Sequence, residues 1–152
     1  MPTLATSLPA IALEEVKRAH TRWWRTWFSV YLSLGLLLAA GSLFLTDPAL
    51  QTALAVGAVG AGLGFVGTLL SPLGPRTWLR MGTLEDYAAW ERNGRGLVHH
   101  VLGTAVVLGL SATLLLYFAL PAYALINLVL GLLVHQAQLR TQPMGATRLF
   151  RQ

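Results

Sequence analysis

The chain has 152 residues, of which 55% are hydrophobic and 11% charged, and it carries a formal net charge of +5. It contains no Cys, which excludes disulfides, thiolate metal sites and thiol redox chemistry. A chain this short and this apolar predicts an all-α membrane protein with one membrane domain over residues 1–152 and no separate soluble domain.

The first predicted element is an amphipathic interfacial helix over about residues 9–26. Pro9 is typical of a helix start, and Val16, His20, Trp23 and Trp27 recur at spacings of 4, 3 and 4, which places them on one face. We expect this helix to lie at the membrane surface and to lead into the first span. Trp23, Trp24 and Trp27 are predicted to anchor it at headgroup depth.

Four apolar stretches are predicted to cross the membrane, because each reaches or approaches the roughly 20 helical residues that a hydrocarbon core requires. They cover about residues 28–45, 50–70, 97–120 and 122–137. Tight turns at Asp47-Pro48 and Leu120-Pro121 join them in pairs. The sequence therefore predicts a four-helix bundle made of two hairpins.

The second span carries small residues at spacings of 4, 3, 4, 3 and 4, which places them on one face of the helix. This glycine seam consists of Ala53, Gly57, Gly60, Gly64, Gly67 and Ser71. In a membrane such a face lets another helix approach closely, so we predict that it is a helix-packing face. Its partner is the first or third span of the same chain, or a second copy in a homo-oligomer; a glycine-lined flexible or pore-forming helix is a third interpretation.

Residues 76–96 are predicted to form a cytoplasmic loop with a short helix, which begins at a capping box starting at Thr83. Trp78, Tyr87 and Trp90 give this loop an apolar face that lies at the membrane interface or packs on the first helix. Residues 138–152 are predicted to be a C-terminal tail.

The eleven Lys and Arg residues precede the first span, lie between the second and third spans, or follow the fourth span. The opposite side carries one charge, Asp47. The positive-inside rule therefore predicts that both termini are cytoplasmic. The Arg- and Ala-rich composition favours a bacterial cytoplasmic (inner) membrane. The basic residues are expected to attract anionic lipid headgroups, and their spread over three segments does not favour nucleic acid.

The predicted spans contain no charged residue, which does not favour pumps, proton-coupled transporters or voltage sensors. Asn127, near the middle of the fourth span, is expected to form a hydrogen bond between helices. The acidic residues of the loop match no catalytic motif, so a non-catalytic protein is expected.

Four histidines are candidate ligands for haem b or a metal: His20, His99, His100 and His135. Folding the last two spans at Leu120-Pro121 places His135 opposite Val106, about six residues or ~9 Å from the level of His100. His99 and His100 are adjacent and point about 100° apart on a helix. We therefore predict that the protein binds no haem or metal.

The sequence favours a packing or assembly subunit of a homo-oligomer or of a larger membrane complex, with itself, other membrane subunits and lipids as partners. Two alternatives remain. One is a small b-type haem or metal protein that uses the histidines. The other is an oligomeric channel or carrier for a neutral or lipid-like solute.

Overall fold

The structure, a computed structural model, describes residues 4–70, 79–93 and 97–143, with side chains described for 12–69, 79–90 and 100–143. All regular secondary structure in these ranges is helical, which confirms the predicted all-α class. The helices are α1 (Leu4–Phe44), α2 (Pro48–Leu70), α3 (Leu84–Asn93), α4 (Leu97–Leu116) and α5 (Pro121–Arg140).

The first hairpin consists of α1 and α2, which pack along each other. Small residues bring the two backbones close, since a Cβ placed on Gly35 would lie 3.6 Å from the Cβ of Ala61. Nearer the N-terminal part of α1, the rings of Phe28 and Phe65 stack at a tilt with centroids 4.4 Å apart. The sequence predicts an interfacial helix to about residue 26 and a first span from about residue 28. In the structure both belong to one continuous helix, α1.

Local hydrogen bonds close the turn between α1 and α2. The Asp47 carboxylate accepts a hydrogen bond from the Ala49 N–H at 3.2 Å, and Pro48 occupies the first helical position, where its missing N–H costs nothing. The Gln51 side chain donates to the Leu45 carbonyl at the end of α1. The only charge on this side of the sequence therefore acts as a helix cap.

The second hairpin consists of α4 and α5, which face each other in steps of four residues. Gly103 lies against the His135 ring, Val107 lies against Gly131, and Ser111 accepts a hydrogen bond from Asn127. Residues i, i+4 and i+8 lie on one face of a helix, so both helices keep the same contact face over two turns.

The turn of the second hairpin begins earlier than the sequence predicted. The predicted third span runs to residue 120, whereas α4 ends at Leu116. Ala119 adopts a left-handed conformation with φ 53°, and the Leu120 N–H donates to the Leu114 carbonyl at 2.9 Å. The chain reverses before Pro121, which starts α5.

The two hairpins meet through α2, which contacts both α4 and α5. Gly60 is at this junction, since a Cβ there would lie 2.9 Å from a methyl group of Leu110. We call the end of the bundle where α2 and α5 finish and α4 begins the basic end. The described basic residues there are Lys17, Arg18, Arg22, Arg25, Arg80 and Arg140.

Helix α3 lies on α1 at the basic end. Tyr87, Ala88 and Trp90 are buried against Val16 and Trp23 of α1. The backbone N–H of Asp86 donates to the Thr83 hydroxyl at 3.1 Å, as an N-cap requires, and Glu85 and Asp86 are exposed.

Three helices, α1, α2 and α5, are long and apolar enough to cross a membrane. The fourth apolar helix is shorter, with the apolar segment His100–Leu116. Large apolar side chains such as Leu37, Leu116 and Leu133 point outward and are exposed. These features are those of a membrane protein.

Candidate functional site: the central cavity and its polar end

The four long helices surround a partly open cavity of about 570 Å³, which we call the central cavity. It extends along α5 from Tyr123 to Gln138, fifteen residues or about 22 Å at the helical rise. Spread over that length, its volume corresponds to a cross-section of about 25 Å². A hydrocarbon chain, whose atoms pack at about 4 Å from their neighbours, fits such a space.

The glycine seam faces this cavity. The seam residues among its lining are Ala53, Gly57, Gly60, Gly64 and Gly67. Because these positions carry little or no side chain, the space between the hairpins stays open along α2. Bulkier residues such as Leu38, Leu110 and Leu130 close it from the other three helices.

Individual seam positions have different neighbours. A Cβ on Gly57 would lie 3.2 Å from Leu38, and one on Gly64 would collide with the Tyr31 ring. A Cβ on Gly67 has nothing within 4 Å. Ser71 lies outside the described residues. The close neighbours of Gly57 and Gly64 thus belong to α1. The packing role of the seam as a whole stays a prediction.

The cavity has a polar end, formed by Tyr31, Thr68, His135 and Gln138 near the basic end of the bundle. The Tyr31 hydroxyl donates to Oε1 of Gln138 at 2.9 Å, and Nε2 of Gln138 lies 3.5 Å from the Thr68 hydroxyl. Thr68 in turn donates to the Gly64 carbonyl at 2.7 Å. This network joins α1, α2 and α5 and satisfies polar groups that would be costly to bury alone.

Two tryptophans of α1 complete the basic ends of α2 and α5. The Trp24 indole N–H donates to the Thr68 carbonyl at 3.0 Å, and that of Trp23 donates to the Gln138 carbonyl at 3.3 Å. Both carbonyls belong to the last turn of their helices, where no intrahelical donor is left. The Trp27 indole N–H donates to the Thr141 hydroxyl at 3.0 Å. We call these bonds the indole caps.

The predicted interface residues are thus held within the protein. Trp23, Tyr87 and Trp90 are buried, and Trp24 and Trp27 are half-buried. Their role as membrane-interface anchors stays a prediction. Trp78 lies outside the described residues.

Asn127 lies nearer to the Tyr123 end of the cavity than to Gln138 and contacts the facing helix. Its amide nitrogen donates to the Ser111 hydroxyl at 2.9 Å, which is a hydrogen bond between α5 and α4 of the kind the sequence predicted. One amide N–H and the carbonyl oxygen remain available for a further partner. Asn127 also lines the central cavity.

The structure contradicts the predicted level difference between His100 and His135. Their rings are stacked, with centroids 5.6 Å apart and an interplanar angle of 13°. Because the chain reverses near residue 119, His135 faces Gly103 instead of Val106, which moves it three residues, or about 4.5 Å, towards His100. The premise of the ~9 Å separation was wrong.

The stacked pair nevertheless does not fit axial ligation of a haem. Axial ligands lie on opposite faces of a porphyrin, whereas α4 and α5 pack directly on each other beside these rings and leave no slot for one. The His135 ring lies where a Cβ on Gly103 would be. The His99 side chain lies outside the described residues. The prediction that no haem or metal is bound is not tested by these contacts.

His20 lies apart from this pair, in the contact between α1 and α3. It is fully buried, Nδ1 lies 2.9 Å from the Val16 carbonyl, and its ring centroid is 5.4 Å from Tyr87 and 5.2 Å from Trp90. In the described part of the chain, no three His, Asp or Glu side chains are grouped as a metal site would require.

Sequence reasoning missed the residues that build the polar end. The predicted first span includes Tyr31 without singling it out. The predicted tail begins at Gln138, whereas α5 continues to Arg140. The available signal was a Gln one turn after His135 on a helical face, which continues the 127, 131 and 135 series at the next turn.

No protein-family model, curated protein or solved structure matches the chain. Its function therefore has to be inferred from these residues and their geometry.

Proposed function

We propose that the chain spans the cytoplasmic membrane of a bacterium four times, with both termini and α3 on the cytoplasmic side. Three helices of sufficient length, a fourth apolar helix and the confinement of the described Lys and Arg residues to the basic end support this topology. At 20 residues, α4 is long enough for a core of about 30 Å.

Within that topology we propose a non-catalytic role, namely that the protein binds or carries a lipid-like solute in the central cavity. The observation that carries this proposal is the cavity itself, an apolar space of about 570 Å³ between the two hairpins. Its volume lies within the range of about 300–1,000 Å³ that is usual for small-molecule sites. A void of this size inside a membrane is expected to be filled, because empty apolar space forfeits dispersion contacts.

The test compares two phenylalanine substitutions on α4. Val106 lines the cavity, whereas Val101 is exposed. We expect native mass spectrometry of the protein in mild detergent to show about one retained lipid-like molecule per chain. V106F should lower that occupancy at least fivefold, and V101F should leave it unchanged. Absence of any retained molecule from the wild type after exposure to a membrane lipid extract would reject the proposal.

A second candidate is the role of packing or assembly subunit that the sequence favours. On α4, Ala105, Gly109 and Ala112 are exposed, and a Cβ on Gly109 would have nothing within 4 Å. Helices in membranes associate through small residues of this kind. We propose this face, and not the seam, as the contact with a second copy or another subunit.

The assembly proposal is tested by light scattering coupled to size exclusion in mild detergent. G109I should reduce the molecular mass of the complex to that of one chain, while G62I, at an exposed glycine of α2 outside this face, should not. A wild type that is already monomeric in the membrane by cross-linking would exclude the homo-oligomer.

A further inference from the structure

The chemical character of the cavity lining indicates which lipid-like molecules it can hold. Among the described residues, the lining consists of apolar side chains, glycines and a few uncharged polar groups, with no Asp, Glu, Lys or Arg. The five polar positions along its length are Tyr31, Tyr123, Asn127, His135 and Gln138. They offer hydrogen bonds and no permanent charge.

A charged headgroup would be unfavourable in this space. Burying an ionised phosphate without a counter-charge costs far more than burying an uncharged oxygen that finds a hydrogen bond. No Lys or Arg of the described part of the chain lines the cavity to pair with a phosphate, although several lie at the basic end. The cavity therefore does not suit an ordinary anionic phospholipid.

Uncharged oxygens, in contrast, have partners at two levels. Asn127 uses one amide N–H on Ser111 and keeps a donor and an acceptor for another group. At the polar end the Tyr31 hydroxyl donates to Gln138 and can still accept, and Gln138 is held in place because it is buried to 1% exposure. A hydroxyl or a carbonyl satisfies either level.

We propose that the central cavity binds a neutral lipid, that is, a long hydrocarbon chain whose polar group is an uncharged hydroxyl or carbonyl. This inference rests on the proposed lipid-binding function and specifies its ligand. The chain lies along the glycine seam, where the missing side chains leave room over about 22 Å. The polar group bonds to Asn127 or to the polar end.

The experiment uses two probes with the same single acyl chain, monooleoylglycerol and oleoyl lysophosphatidylglycerol, which differ by the charged phosphate headgroup. One acyl chain matches the cross-section of about 25 Å². The full-length protein in mild detergent is titrated with each, with stoichiometry read by native mass spectrometry and the midpoint of thermal unfolding by tryptophan fluorescence. A ligand that binds only the folded state raises that midpoint. We expect monooleoylglycerol to bind at one per chain and at least tenfold more tightly than the phospholipid.

Three variants connect this preference to the cavity. N127L removes the hydrogen-bonding group while keeping the number of side-chain heavy atoms, and it should reduce the preference for monooleoylglycerol to less than threefold. T113L, which replaces an exposed polar residue of α4, should retain the wild-type preference. V106F should abolish binding of monooleoylglycerol. A third probe, decylubiquinone, carries carbonyls without a hydroxyl, and its binding relative to monooleoylglycerol distinguishes the two kinds of head group.

The outcomes separate this inference from the proposed function. If the phospholipid binds as tightly as monooleoylglycerol and V106F blocks both, the cavity holds a lipid but the inference of a neutral head group is overturned. If neither probe binds, the proposed function fails with it. If the phospholipid alone binds and V106F has no effect, it binds at the basic end, and both proposals are overturned.

Discussion

The Tyr31 side chain of α1 contacts two other helices in the interior of the bundle. Its ring lies against Gly64 of α2, its hydroxyl bonds to Gln138 of α5, and its centroid is 6.1 Å from that of Trp27. One side chain of α1 thus contacts the seam and the polar end together. The absence of a side chain at Gly64 is what admits this ring.

We expect G64I to destabilise the protein, because the new side chain would occupy the position of the Tyr31 ring. Overpacking of this kind costs about 1–3 kcal/mol. The measurement is thermal unfolding in mild detergent, together with the oligomeric mass.

Gly62 provides the matched control, since it lies off the seam and a Cβ there has nothing within 4 Å. G62I should change stability by no more than about 0.5 kcal/mol. Equal stability and oligomer size for both variants and the wild type would show that the seam is not a packing face. A stable G64I monomer derived from a larger wild type would show instead that the seam joins separate chains.

The stacked His100 and His135 rings give a second expectation at this scale. We predict that the purified protein is colourless and lacks stoichiometric haem, because α4 packs directly on α5 at Gly103 and Gly131 and leaves no slot for a porphyrin between the two histidines. The measurement is an absorbance spectrum from 350 to 700 nm with metal analysis. A Soret band that is lost in H100A or H135A would overturn the prediction.

Among the elements, the turn between α4 and α5 has the largest effect on the site. By reversing the chain near Ala119 it sets three successive facing pairs, and it brings Asn127 to Ser111 and His135 to Gly103. A turn placed one to two residues later, at Leu120-Pro121, would shift the pairing of α5 with α4 by three residues, and the polar positions of α5 would meet different partners.

Cysteine pairs report this register directly, because the natural chain has none. A Cβ on Gly131 would lie 3.5 Å from the Cβ of Val107, which is within the usual range for a disulfide. We expect V107C/G131C to cross-link nearly completely under mild oxidation, as read by mass spectrometry of peptides. The control L110C/G131C represents a reversal at Leu120-Pro121, and preferential cross-linking of that pair would contradict the observed register.

Helix α3 is held on α1 by aromatic contacts around His20. Tyr87 is fully buried, and its ring lies beside His20 of α1 and edge-on to Trp90 of α3 itself. Truncation of a buried aromatic residue costs about 3–5 kcal/mol. We therefore expect Y87A to release α3 from α1 and to increase hydrogen exchange at least tenfold over residues 84–93.

The matched control is E85A, which changes an exposed residue of the same helix and should leave exchange in this segment unchanged. Loss of folding of the four long helices in Y87A, seen as a collapse of helical circular dichroism, would contradict the description of α3 as an attached element. Unchanged exchange in Y87A would show that other contacts hold it.

The whole molecule is two hairpins joined through α2 and through hydrogen bonds from α1 to the end of α5, so the polar contacts between the hairpins are concentrated at the basic end. The middle and the opposite end are held mainly by apolar and small residues around the cavity. The proposed lipid site therefore begins beside an end at which α1, α2 and α5 are fixed to one another.

The proposed topology of the whole molecule can be tested with fusions and labels. Reporters fused before Met1 and after Gln152 are expected to be active only as cytoplasmic fusions, because the positive-inside rule places the basic end there. Cysteines introduced at Thr46 or Ala49, in the exposed or half-exposed turn beside Asp47, should label from outside intact cells. Labelling at Thr46 only after the inner face is opened would reverse the orientation.

Hydropathy and turn residues predicted the helices well because these signals are local. The start of α2 at Pro48 and of α5 at Pro121 follows from the position of each proline. The length of α4 and the register of its hairpin were not predictable in the same way, since they depend on a left-handed residue, Ala119, that carries no glycine or asparagine signal. That three-residue difference was enough to misplace His135.

The polar end could not be predicted from single positions, because its members come from three helices. Tyr31 and Gln138 are 107 residues apart in sequence, and neither is unusual in its own segment. The predicted hydrogen bond of Asn127 was easier to anticipate, since an amide in the middle of an apolar span requires a partner on another helix.

The indole caps have a consequence for the order in which the protein is made. Trp23 bonds to Gln138 and Thr141, at sequence separations of 115 and 118 residues. Its indole N–H therefore has these acceptors only after the end of the chain has been synthesised. The first hairpin can insert and pack while the ribosome is still translating the second, but the basic end stays incomplete until α5 has emerged. A chain truncated before α5 would leave the Trp23 and Trp27 indoles without these acceptors, a feature by which membrane quality control could distinguish unfinished chains from finished ones.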